Sequence, residues 1–129
     1  MAYIIEQTLY QQSGISIYRV KNKEQLFIAK SVSSELPTIS EIEALKREYE
    51  TIAQFKSPYI VEAKEFASFN NSQAIIMVDF GGQSLDKILQ EKNKLSFAQK
   101  LKISQAVCQA LMVIHPGQAH LKVIEIGLT

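Results

Sequence analysis

Five short runs rich in β-branched and aromatic residues, interrupted once by a stretch of helical spacing, constrain this chain more than any other feature. The runs are Tyr3 to Leu9, Ile15 to Val20, Leu26 to Ala29, an extended stretch from Glu62 to Phe69, and Ala74 to Phe80. Such side chains suit a pleated, half-buried surface. Polar stretches at Tyr10 to Gly14, Lys21 to Glu24 and Asn70-Asn71 separate them as turns would, and Lys30 ends the third apolar run. The interruption opens at Ser40-Glu41-Ile42-Glu43, which has the capping-box pattern. Ile42, Leu45, Tyr49 and Ile52 then recur at helical spacing up to Phe55, with Pro58 as the stop. The pattern predicts an α+β fold with a five-stranded antiparallel sheet and one helix inserted after the third strand.

After Gly81-Gly82 the pattern changes to two helices and a short strand. Ser84 is placed to cap a helix from Leu85 to Gln90. Ser96-Phe97-Ala98-Gln99 is a second capping box, starting a helix that runs to His115 before Pro116-Gly117. Leu121 to Ile126 alternates like a last strand. From Ala106 to Ile114 every residue except Gln109 is apolar, so this helix is hydrophobic all round, the mark of a buried helix. Self-association, or a protein partner covering the helix at 96–115, is expected.

The 129 residues suit one domain with one modest core. Lys and Arg number 14 against 13 Asp and Glu, a net charge of +1, which gives no bulk attraction to nucleic acid or membrane surfaces. There is no apolar run of about 18 residues and no basic, then apolar, leader, so a cytoplasmic protein is expected. The single cysteine, Cys108, lies among small apolar neighbours and reads as a core residue. Neither a metal site with His115 and His120 nor a Cys108–His115 pair has the carboxylate cluster or orienting third group its chemistry needs.

Several segments, taken in order, resemble a protein kinase N-terminal lobe. Phe27-Ile28-Ala29-Lys30 is similar to the V-A-I-K strand, Arg47-Glu48-Tyr49-Glu50 to the family's αC helix, and Ser57-Pro58-Tyr59-Ile60-Val61 to the H-P-N-I-V turn. Ile76 to Leu85 resembles a kinase hinge, and Leu111 to His115 the family's L-x-x-L-H helix end. Asp79-Phe80-Gly81-Gly82 resembles the same region of bacterial serine/threonine kinase domains, including those of multidomain signalling proteins. The resemblance implies an N-lobe and hinge over residues 1–83, followed by the remaining helices and strand of a truncated C-lobe at 84–129. It also implies ATP as a ligand. Lys30 would grip the α and β phosphates, and a helix Glu, Glu48 or one register away Glu50, would hold the lysine. Read alone, Lys30 is a solvated charge at a strand end and Glu48 an exposed helix residue. Backbone groups of Asp79, Phe80 and Gly81 would face adenine under Ile17 and Ile28.

The departures bear on activity. In register with the family, Tyr10, Gln12 and Ile15 stand where G-x-G-x-x-G has its glycines, and a β-branched Ile15 does not adopt glycine's conformations. After Asp86 the sequence holds no Asp, and after Asn93 no Asn. The catalytic loop H-R-D-x-x-x-x-N, source of the base and of a magnesium ligand, therefore has no counterpart in these residues. His115-Pro116-Gly117-Gln118 runs almost directly into Leu121 to Thr129, which resembles the family's L-K-I-x-D-F-G-L strand, with Glu125 in the place of the magnesium-binding Asp. The expected protein is a kinase-like domain that acts as a signalling or binding module without phosphoryl transfer. An active serine/threonine kinase and an unrelated α+β assembly domain are the alternatives.

Overall fold

In the computed structural model, which describes residues 3–33, 35–81 and 95–114, seven elements follow one another along the chain. They are β1 (Ile4–Gln12), β2 (Ile15–Asn22), β3 (Gln25–Val32), α1 (Ile39–Ala53), β4 (Ala63–Phe69), β5 (Ser72–Val78) and α2 (Phe97–Ile114). The strands form one antiparallel sheet in the order β1-β2-β3-β5-β4, with the helix inserted after the third strand as the sequence implied. The helix expected at Leu85 to Gln90 and the strand at Leu121 to Ile126 lie outside the described residues. The chain divides into two compact units, Met1–Gln54 with Glu62–Asp79, and Phe55–Val61 with Phe80–Thr129. The sheet and α1 belong to the first and α2 to the second.

Three two-residue turns set the register of the sheet. Ser13-Gly14, Lys23-Glu24 and Asn70-Asn71 each have both φ angles positive, the signature of the I′ hairpin, whose twist matches that of the strands it joins. β1 therefore runs on to Gln12, pairing Tyr10 with Ile17 and Gln12 with Ile15, where the sequence suggested a polar loop from Tyr10. Asn and Gly tolerate this backbone, but Lys23 and Glu24, with φ of 51° and 67°, are held where their Cβ atoms crowd the following carbonyl. Replacing Lys23-Glu24 by Asn-Gly is expected to stabilise the fold by about 1 kcal/mol. The exposed Lys21–Glu24 ion pair lost with it, at 3.5 Å, contributes little. A urea midpoint that fails to rise would show that these two residues carry no strain.

Both faces of the sheet are covered. On one, Val20, Ala29, Phe69, Ala74 and Ile76 form a buried cluster, with Tyr3, Tyr18, Phe27 and Ala67 packed against it. Tyr3 meets Phe27 edge to face at 5.9 Å, and Tyr18 meets Phe69 at 5.7 Å. The Tyr3 hydroxyl also donates to Glu65 of β4. Tyr3 adjoins β1, and β1 and β4 are opposite edges of a sheet that would be roughly 19 Å across if flat. The bond therefore requires a strongly curled sheet, and the bulges in β1 near Glu6 and Leu9 supply local twist. Burial, and then the Glu65 carboxylate, push the Tyr3 phenol up to about 12, so it stays a protonated donor at any physiological pH.

α1 covers the other face, packing on β3, β4 and β5 through buried Leu45 and Ile52, with the Tyr49 ring stacked on Phe66 at 5.8 Å. Its cap is Thr38, two residues earlier than the Ser40 that the sequence suggested. The Thr38 hydroxyl accepts from the Glu41 amide at 3.1 Å, and the Glu41 carboxylate accepts from the Thr38 amide at 3.0 Å. Both Thr38 and Ser40 head an S/T-x-x-E pattern. The earlier one adds backbone bonds such as Ile42 to Thr38 immediately after Pro37, which has no amide to satisfy. The second predicted cap is as expected, with reciprocal Ser96 and Gln99 bonds opening α2.

α2 departs from the expectation of a helix buried all round. Ile103, Ala110 and Ile114 are buried, yet Phe97, Leu101, Leu111 and Met112 are exposed, and so is Cys108, which is not the core residue its neighbours suggested. At 100° per residue the exposed side chains fall on one stripe and the buried ones on nearly the opposite one. The apolar run thus presents one buried stripe and one exposed stripe.

Candidate functional site

The site begins with a lysine that should not be buried alone. β3 does not end at Lys30. It continues to Val32 and places Lys30 mid-strand, only 3% exposed, on the face that α1 covers. A buried ammonium is costly without a counter-charge. α1 supplies it, because Glu48 lies three residues after Leu45 and four before Ile52, on the stripe that the helix turns to the sheet. Lys30 Nζ stands 2.5 Å from Glu48 Oε1. Glu50, the other candidate, is exposed. The apolar run stops at Lys30 because the residue changes, and the strand continues because Glu48 compensates the charge.

A second ion pair lies on the same face. Arg19 Nε donates to Asp79 Oδ2 at 2.7 Å, with the carboxylate side chain only 6% exposed, and Arg19 Nη1 donates to Gln7 at 2.8 Å. Arg19 pairs in register with Ile28, and Ile28 with Met77, so the side chain that joins β2 to the end of β5 crosses β3 beside Ile28. The sequence reading missed Arg19. Its signal was a lone charge in the otherwise uncharged run Ile15 to Val20, but its partner, 60 residues away, is named only by the strand order.

The remaining predicted residues are placed as follows. Ile17 is half-buried opposite Lys30 in the β2–β3 register, and Ile28 is 5% exposed two residues before Lys30. Phe80 and Gly81 belong to the second unit. Phe80 is exposed, and Gly81 has φ of +75°, which suits glycine. Glu125 lies outside the described residues. At the hairpin tip that would cover phosphates, a two-residue turn replaces a glycine-rich loop. The Gly14 carbonyl accepts from the Ser33 amide at 2.8 Å, and the Ser16 and Ser33 hydroxyls bond at 2.7 Å. The turn is thus fastened to the end of β3.

A family model for protein tyrosine and serine/threonine kinases matches residues 8–119. The chain belongs to that family. No curated protein matches it. In this kinase-family domain the strand lysine and the helix glutamate meet as a pair inside one unit, and the matched span covers all of the sheet beyond Thr8 and both described helices. No helix among the described residues is long and apolar enough to cross a membrane. Among the same residues no three His, Cys, Asp or Glu side chains are grouped to hold a metal ion.

Chemically, the Lys30 ammonium has three N–H donors and Glu48 takes one in the structure. The others suit anionic oxygens. Held by a carboxylate on a packed helix, the ammonium is a fixed point of positive charge rather than a mobile one. ATP, which the family binds, fits this donor at its phosphates but finds no glycine-rich cradle. Magnesium has no ligand set among the described residues.

Proposed function

We propose that this protein is a non-transferring kinase-family module, which holds the phosphate groups of a nucleotide through Lys30 and serves signalling as a binding domain. The observation that carries the reading is the Lys30–Glu48 pair, in which a nearly sealed lysine is kept charged-partnered by a helix glutamate. A merely structural position would more simply hold an apolar side chain. The absence of transfer rests on the sequence. In the family the catalytic loop lies between the L-x-x-L-H helix end and the D-F-G strand. The residues between Leu111–His115 and the similar segment starting at Leu121 hold no Asp to accept an alcohol proton and no Asn to hold a metal.

The test is a thermal titration with ATP, with and without magnesium, beside Lys30→Met. A ligand that binds only the folded protein stabilises it by about 1.4 kcal/mol at ten times its Kd. The expected result is a rise in midpoint that Lys30→Met abolishes, with no Lys30-dependent labelling of an acceptor protein by labelled ATP. No shift at millimolar ATP would remove nucleotide binding from the proposal, and Lys30-dependent labelling would make the protein an active kinase.

Partner binding belongs to the same proposal. The exposed stripe Phe97, Leu101, Leu111 and Met112 supports a second copy or another protein packing on α2. Sedimentation of the purified chain is expected to show self-association that Met112→Glu weakens. A monomer at all concentrations would leave only a different protein as the cover.

A further inference from the structure

The family pattern places a small residue two positions before the strand lysine, in V-A-I-K, and a large one just before the lysine. Here the sizes are exchanged. Ile28 occupies the small position and Ala29 the large one. Side chains alternate across a strand, so this exchange moves bulk from the aromatic face of the sheet to the Lys30 face. Ala29 belongs to the buried cluster under Tyr18 and Phe27, whereas Ile28 shares its face with Lys30, Arg19 and Met77.

Along β3, Ile28 lies about 6.8 Å from Lys30 on the same face, towards the chain exit at Asp79. A ligand whose phosphates meet Lys30 and whose ring extends along β3 towards the Asp79 end of β5 must lay that ring over Ile28. Ile28 is only 5% exposed and Met77 beside it 2% exposed, while the Arg19–Asp79 pair crosses the strand at the same level. Lys30 is shielded by Glu48, whose side chain is itself 21% exposed and sits on a helix, whereas Ile28 carries its own added bulk and has Arg19, held by Asp79, as its cross-strand neighbour.

We propose that Ile28 is the specificity-determining residue of this face, closing it to a purine ring while leaving the phosphate grip at Lys30. The proposal rests on the phosphate-binding reading above and deepens it. Triphosphate-bearing ligands are held by their phosphates, and the base adds nothing to binding.

Isothermal titration of the whole chain with ATP and with inorganic tripolyphosphate, on wild type and Ile28→Ala, tests this. The two ligands should bind wild type within about threefold of each other, since the only shared contact is to phosphate. Ile28→Ala should tighten ATP tenfold or more and leave tripolyphosphate unchanged. Ile28→Val, a smaller truncation that keeps a β-branched residue in the strand, should shift ATP in the same direction by less and serves if the alanine variant does not fold. ATP binding wild type tenfold tighter than tripolyphosphate would overturn the proposal with the phosphate grip intact. A folded Ile28→Ala or Ile28→Val with no gain for ATP would do the same. If neither ligand binds any folded variant, the grip at Lys30 fails and the proposal falls with it.

Discussion

Glu48→Gln is expected to destabilise the protein by about 2–3 kcal/mol, whereas Lys30→Met leaves it within about 1 kcal/mol of wild type. The two side chains make one ion pair, yet they are not equivalent. Lys30's side chain is 4% exposed and Glu48's is 21%. Without the carboxylate, an ammonium stays sealed between β3 and α1 with no counter-charge and almost no water. Without the ammonium, a methionine of similar length fills the lysine's channel and the glutamate turns to solvent. Chemical denaturation of the two single variants and the double variant checks this. The double variant should recover most of the loss caused by Glu48→Gln, a coupling of the kind expected for groups in direct contact. Equal losses in the two single variants would mean that the pair is no more buried on one side than the other. The functional order is reversed, because Lys30→Met should remove phosphate binding while keeping the fold. A stable protein without ligand response is therefore the expected signature of a lysine retained for what it binds.

How far the residues announced this arrangement depends on the range of the interaction involved. The three hairpins were legible because each turn is local, and polar residues between apolar runs mark a reversal whatever the rest of the chain does. The two-residue Asn70-Asn71 turn was read as it stands, but the tightness of the first two was not. Tyr10, Gln11 and Gln12 look like loop residues, but β1 is an edge strand whose outward positions are free to be polar. The cap of α1 was ambiguous for a similar reason, since Thr38 and Ser40 satisfy the same short pattern and Pro37 tips the balance. Lys30 and Glu48 were found through the family resemblance and not through periodicity, which reads a lysine after an apolar run as a strand end. Arg19 was out of reach. Its partner is fixed by the β1-β2-β3-β5-β4 order, in which β5 passes between β3 and β4, and no spacing in the sequence encodes that order. Cys108 was misread because an apolar neighbourhood along a helix surrounds the axis on every side, and says nothing of which side is covered.

The sheet's stability should be concentrated in β5, and Ile76→Ala is expected to cost about 3–4 kcal/mol. β5 lies between β3 and β4, and Ala74, Ile75, Ile76 and Met77 are buried in succession, so its two faces are covered at once. Such a strand reads as an unbroken apolar run rather than an alternating one. Ile76 faces the curled side, in register with Ala29 on β3 and Glu65 on β4. Ala29 offers no bulk to fall into the space that truncation opens, and the Tyr3–Glu65 bond resists inward movement of the edge strands. A cavity that cannot collapse carries both the transfer and the void penalty. Leu26→Ala, at a position 44% exposed near the start of β3, should change stability by less than about 1 kcal/mol and serves as the matched control. Urea unfolding of the two variants decides the matter. A loss at Ile76 no larger than at Leu26 would mean that the aromatic side of the sheet is loosely packed, and the curl inferred from Tyr3 and Glu65 would lose its support.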